Sequence, residues 1–397
     1  MTQAQEFFIQ LISDHLNGRS TDVPEGLDWN SVAELAKAHD LAGIVFYQCQ
    51  DKISADVLPY FSREYAAEVF LYTNRRVALD TISARFRDAK IAFHMIKGFA
   101  VSKYYPLPAL RTMGDCDIIV ETEHITAASE IMKDLGYELT SSFRNEYIFH
   151  KGLIIIEIHD VLVKDRDRND DTEMATPAQS VFFNNYRQYA DGEVFDASFH
   201  FLYLLMHLRK HIMNSGAGIR QFADLAVTVS KCPDLRWDWI SEKLPALELD
   251  SFADSCFCLI REWFGISVPI GSKQFSSEQL AFVTSKILFN GLFGFEDPEN
   301  SDNYFKNQII KNKGARWIVR LKLLLQTLFP DYAWMCRYRG CEYLRGKPYL
   351  LPVAWFHRVL IIIRERRTKG ALNRAGLSMI SDKHLDSRET YLDIMGL

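Results

Sequence analysis

Between residues 91 and 159 the apolar residues stop recurring at three- and four-residue steps and gather into short runs. This change of period limits the fold more than any other feature of the chain. The runs are IAFHMI at 91–96, DIIV at 117–120, YEL at 137–139, EYIFH at 146–150 and LIIIEIH at 153–159, all of strand length. Residues 124–135 have helical period and stop at Gly136, a residue suited to the turn that closes a helix. Lys151-Gly152 separates the last two runs by the span of a hairpin turn. The expected order is strand, helix, strand, helix, then a hairpin.

Elsewhere the helical period dominates. Residues 1–90 form a helical lead-in, with Ser31 placed to cap a helix through Tyr47 and a long helix over 57–88. Residues 91–175 are the αβ core, and the charge-rich KDRDRNDDTE at 164–173 reads as an exposed loop at its edge. Residues 176–397 read as helices at 198–213, 219–229, 237–242, 251–264, 278–289, 315–328 and 352–367. No internal repeat of fixed period is present. At 397 residues the chain has room for two or three domains, and 48% hydrophobic residues place it among well-packed globular proteins.

A net charge of −5 gives no global argument for a nucleic-acid partner. Seven scattered cysteines without a CxxC pair indicate neither a disulfide framework nor a zinc knuckle. The first residues read as an amphipathic helix rather than a signal peptide, and no apolar run is long enough for a transmembrane segment. A reducing cytoplasm is the simplest expected location.

The chemistry lies in the run from Ile96 to Val120. Side chains alternate faces along an extended chain, so Asp115 and Asp117 point the same way and converge. Two carboxylates that close repel unless a cation or proton lies between them, and Mg²⁺ takes carboxylate oxygens together with substrate phosphates. On the last run the alternation sets Ile154, Ile156 and Ile158 on one face and Glu157 and His159 on the other. Glu157 on a strand beside Asp117 completes a three-acid cluster able to hold two cations.

A Gly-containing turn, an hDhDh strand and a later hEh strand, in that order, resemble the polymerase-beta-like nucleotidyltransferase superfamily. Within it the chain resembles an uncharacterised bacterial nucleotidyltransferase family with a KG…Y…R…DxD pattern. Lys97, Gly98, Tyr105, Arg111, Asp115, Asp117, Glu157 and His159 carry the likeness. It extends through HLRKHIMNSGAGIRQFADLA and LFPDYAWMCRY.

The resemblance implies an α+β fold, a small mixed sheet with flanking helices embedded in a largely helical chain. It also implies transfer of a nucleoside monophosphate, AMP from ATP, to a hydroxyl of an unknown acceptor with release of pyrophosphate. Asp115, Asp117 and Glu157 are then the catalytic metal ligands for two Mg²⁺ ions, or Mn²⁺ in their place. Gly98 lets the backbone approach the triphosphate, with helix amides after it, and Lys97 and Arg111 supply positive charge. His159 belongs with the nucleotide-binding residues. The helix carrying His207 and His211, with Arg220 and Asp224 after it, closes over nucleotide or acceptor. Lys97-Gly98 stands where the broader superfamily has Gly-Ser, a departure that the narrower family shares.

Three further signals have competing explanations. His200, His207 and His211 fall near one helix face, and the latter two have the i, i+4 spacing of zinc ligands. No HExxH glutamate accompanies them, which favours histidines packing against the αβ core. Gly216 and Gly218 lack the GxxxxGK[ST] order and read as a turn. Residues 334–369 hold nine Lys/Arg against two Glu among aromatic residues. Such a patch suits nucleic acid or an anionic membrane face, but a solvated helix face with an aromatic core side is commoner. A non-catalytic nucleotide sensor with the same fold is the alternative to the enzyme.

Overall fold

The structure, a computed structural model, describes residues 1–143, 145–163, 175–292, 306–307, 309–310, 329–330, 332–336, 340–344, 346–365 and 382–397. The expected loop at 164–173 and the expected helix at 315–328 lie outside the described residues. The chain divides into two compact units, residues 1–300 with 394–397, and residues 301–393.

In the first unit, α1 (Gln3–Leu16) opens on a capping box in which the Thr2 hydroxyl and Gln5 side chain satisfy each other's backbone amides. One helix is expected from Ser31 to Tyr47, but two are found, α2 (Trp29–His39) and α3 (Ala42–Cys49). Asp28, not Ser31, caps α2 by accepting from Asn30 N–H. The break falls at Asp40, whose φ of 55° is left-handed, a conformation Asp tolerates better than most residues. That kink turns Asp40 toward the site, where its carbonyl accepts from Thr112 Oγ1 at 2.6 Å. The long helix α4 (Leu58–Asp88) then sends Leu79, Ile82 and Phe86, at helical spacing, into the core beneath the sheet.

The sheet contains β1 (Phe93–Ile96), β2 (Cys116–Val120), β3 (Glu138–Phe143), β4 (Glu146–Lys151) and β5 (Ile154–His159) in the order β1-β2-β5-β4-β3. Only the central pair, β2 and β5, is parallel; the other neighbours are antiparallel, so the sheet is mixed. A short helix α5 (Lys97–Ser102) follows β1, and α6 (Ile125–Asp134) follows β2. Cys116, Ile118 and Val120 of β2 join Ile156 and Ile158 of β5 in one core with α4 and α6. The period-2 alternation leaves Asp117, Glu157 and His159 for the opposite face.

After α7 (Pro177–Asn184), a hairpin of β6 (Ala190–Asp191) and β7 (Val194–Phe195) lies at the edge of β1. Glu193 O accepts from Met95 N–H at 2.7 Å, so this edge is covered rather than left open. Asp196 caps α8 (Ala197–Asn214) by accepting from the amides of Ser198 and Phe199. Then come α9 (Ile219–Lys231), α10 (Trp237–Ala246), α11 (Asp250–Phe264) and α12 (Ser277–Asn290).

The second unit has a small core of Met335, Cys341, Leu344 and Ala354. Trp355 packs on it from the helix Leu351–Glu365 and donates its indole N–H to Pro330 O at 2.7 Å. All seven cysteines are free thiols, and no described helix is long and apolar enough to cross a membrane.

Candidate active site

The register of the parallel pair builds the acid cluster. Asp117 of β2 lies directly beside Glu157 of β5, and His159 is two residues further along the same face. Asp117 Oδ1 accepts from His159 Nε2 at 2.8 Å and from the Lys97 ammonium at 2.6 Å. Burial alone would raise the Asp117 pKa, but Lys97 and His159 outweigh it and hold the carboxyl well below its usual range. Burial likewise disfavours the Lys97 ammonium, and the adjoining Asp117 charge raises it above the ordinary lysine value instead. Glu157 is pushed up to about 7, first by burial and then by the negative charges of Asp115 and Asp117. Asp115 is raised by burial and by Asp117.

Asp115 sits just before β2 and lines the same cavity as Asp117 and Glu157. The ligand atoms that come within 4.8 Å of one another belong, however, to Asp117, Glu157 and His159. Asp115, Asp117 and Glu157 crowd together on the sheet side of the cavity with the Lys97 ammonium against Asp117, and the repulsion among these acids favours a divalent cation between them. Oxygen donors with one imidazole nearby and like-charge repulsion on Glu157 fit such an ion.

The Lys97-Gly98 turn is fixed from both sides. Lys97 has a left-handed φ of 53°, uncommon for a residue with a side chain, and its amide N–H donates to His200 Nε2 at 3.1 Å. Burial lowers the His200 pKa to about 4, so the ring stays neutral and keeps that lone pair. A Cβ on Gly98 would come within 2.3 Å of Arg111 Nη1, so the position admits no side chain while Arg111 stays in place. Arg111 is held by Asp224 of α9, through Nε to Oδ1 at 3.0 Å and Nη2 to Oδ2 at 2.5 Å, and its Nη1 donates to Thr112 O. Tyr105 donates its hydroxyl to the same Asp224 at 2.8 Å. The whole guanidinium fork of Arg111 is therefore engaged with the protein.

Helices α8 and α9 form the opposite wall of a cavity of about 260 Å³. Lys97, Gly98, Arg111, Asp115, Asp117, Glu157, His207, His211, Arg220 and Asp224 all line it, and His159 lies behind Asp117. His207 and His211 face each other, Nε2 to Nε2, at 2.9 Å, so one ring donates to the other. Burial, then neighbouring positive charge, keeps both neutral, His211 at about 4 and His207 well below its ordinary value. Neither joins a group of three ligand atoms among the described residues. Arg220 donates from Nη1 to Asp40 at 3.0 Å and to Thr112 Oγ1 at 2.6 Å, while its buried Nε has no hydrogen-bond partner among the described residues.

Sequence reasoning missed Glu146, Lys210 and Gln221 in the cavity wall, and Asp40 and Thr112 behind Arg220. Glu146 had a readable signal, because the hairpin turn at Lys151-Gly152 fixes the β4–β5 register and pairs it with His159. Asp40 had none, since its place depends on a helix break 180 residues before its Arg220 partner.

Acids on a sheet facing cations and neutral imidazoles on two helices make a site suited to phosphates and a divalent cation. The chain belongs to the family described as uncharacterised nucleotidyltransferase, whose model matches residues 25–265. That span takes in the whole sheet, α8 and α9, and so every residue of the cavity. No curated protein and no solved structure matches the chain.

Proposed function

We propose that the protein transfers a nucleoside monophosphate, AMP from ATP, to a hydroxyl of an acceptor and releases pyrophosphate. The observation that carries this reading is the pairing of Asp117 with Glu157 on parallel strands, with the Lys97 ammonium against them in one cavity. Asp115, Asp117 and Glu157 are the oxygen donors for Mg²⁺ or Mn²⁺. When bound, such a cation offsets the charge that develops on the phosphate and activates the attacking oxygen. The negative charge of the triphosphate would accommodate a second such ion.

The chain's cations then have separate tasks. Lys97 keeps Asp117 ionised and lies beside the phosphate path. Arg220, set in the cavity wall by its hydrogen bonds to Asp40 and Thr112, supports an anion at the helix wall. Arg111 is already neutralised by Asp224, so it holds the turn of Gly98 rather than the substrate. A cavity of about 260 Å³ suits phosphates and a cation, and the nucleoside would extend from its mouth.

The test is incubation with α-labelled NTPs, Mg²⁺ or Mn²⁺ and a panel of hydroxyl acceptors. Label should pass to an acceptor with stoichiometric pyrophosphate, and Asp117→Asn should lower the rate by about a thousandfold. Unchanged turnover in that variant would refute the assignment. The engagement of both Lys97 and Arg111 by carboxylates favours a second reading, a nucleotide sensor. Calorimetric ATP binding without transfer across the panel would select it.

A further inference from the structure

His159 approaches the acid cluster from a side that the Asp-x-Asp pattern does not cover. Its Nε2 lies 2.8 Å from Asp117 Oδ1 and 3.7 Å from Glu157 Oε2. Donors at right angles around a cation, on bonds of about 2.1 Å, stand about 3 Å apart. The two observed spacings bracket that value.

The other side of the ring is equally informative. Glu146 is the direct partner of His159 across β4 and β5, and its Oε1 faces His159 Nδ1 at 3.9 Å. An imidazole that binds a cation through one nitrogen usually turns the other toward a carboxylate, which fixes the tautomer and raises the ring's basicity. The ring itself is buried and set by the strand, so this orientation comes from the register rather than from a mobile side chain.

We propose that Asp117, Glu157 and His159 form a mixed carboxylate–imidazole site that prefers Mn²⁺ to Mg²⁺, with Glu146 as the positioning carboxylate behind His159. The proposal rests on the reading that the acid cluster binds a divalent cation and adds which atoms hold it and which metal they favour. Mg²⁺ demands near-ideal oxygen coordination and gives up its waters reluctantly, whereas Mn²⁺ shares its preference for carboxylates but belongs to the first-row series that also accepts nitrogen donors. On binding, Nε2 turns its lone pair to the cation in place of its hydrogen bond to Asp117, and the ring's N–H lies on Nδ1 toward Glu146. Asp117 is already ionised beside Lys97 and has no proton to release.

The full-length protein is titrated with MnCl₂ and with MgCl₂, and bound Mn²⁺ is examined by pulsed electron paramagnetic resonance. The wild type should show coupling to a directly bound nitrogen and bind Mn²⁺ more tightly than Mg²⁺. His159→Gln should lose the nitrogen signal and about 10- to 100-fold of Mn²⁺ affinity, with Mg²⁺ affinity changed far less. Glu146→Gln should keep the nitrogen signal and bind Mn²⁺ about tenfold more weakly. Bound Mn²⁺ without nitrogen coupling in the wild type would overturn the proposal and leave nucleotidyl transfer through oxygen ligands intact. If the folded wild type binds neither cation, with or without ATP, this proposal and the cation-dependent reading fall together.

Discussion

Removing the carboxylate of Asp224 should destabilise the first unit more than any other single change at the site. Asp224 accepts three hydrogen bonds, two from Arg111 and one from Tyr105, and the Arg111 and Asp224 side chains are only 9% and 6% exposed. Asp224→Ala leaves a guanidinium buried with only the Thr112 carbonyl as partner, and breaking one side of such a pair costs about 3–5 kcal/mol. The orphaned Tyr105 hydroxyl adds about 1 kcal/mol. Changing both partners, Arg111→Met with Asp224→Ala, removes the stranded charge, and replacing a buried ion pair by apolar groups is often near neutral. The double variant should therefore recover about 2–3 kcal/mol relative to Asp224→Ala alone. Urea unfolding followed by far-ultraviolet circular dichroism, on both single variants and the double, gives the coupling energy directly. Simple additivity of the two losses, with a coupling below about 0.5 kcal/mol, would refute the account of Arg111 as a structural partner of α9.

Two further expectations concern other elements of the same unit. Gly98→Ala drives a methyl against Arg111 Nη1, which cannot retreat while Asp224 holds it, so a loss of about 1–3 kcal/mol by urea unfolding is expected. An alanine of wild-type stability would show that the turn and Arg111 do not touch. Glu68 accepts from Gly43 N–H with one oxygen, its other oxygen is buried without a partner among the described residues, and burial pushes its pKa up to about 8. A carboxyl raised in the fold keeps its proton after the unfolded chain has lost it, so stability falls as pH rises from about 4.5 to 8. Glu68→Gln should match the wild-type melting temperature near pH 4.5 and exceed it progressively to pH 8; a pH-independent difference would contradict the burial.

The strands were legible because their patterns are local. LIIIEIH announces by alternation that Glu157 and His159 share a face, and β5 (Ile154–His159) presents them so. The hairpin at Lys151-Gly152 and the helix closed by Gly136 follow from turn chemistry and are present, with α6 starting one residue later than expected. What stayed hidden depends on distant partners. Nothing near Arg111 reveals that its fork is taken by a residue 113 positions away, or that the Lys97 amide will find His200. The β6–β7 hairpin was invisible because two-residue strands carry no period. The break at Asp40 leaves no mark in the sequence pattern, since a single left-handed residue leaves the apolar spacing on either side undisturbed.

The contact between Gly98 and Arg111 also bears on how such a chain can change over time. A larger residue at 98 becomes tolerable only once 111 is small, and a small 111 leaves the Asp224 carboxylate buried without its cation. Each first step is unfavourable on its own, so drift at these three positions should proceed in concert, with residue 224 neutralised before the turn is altered. Homologous chains should therefore keep arginine and aspartate together at 111 and 224 or have lost both, and carry a residue larger than glycine at 98 only where both are lost.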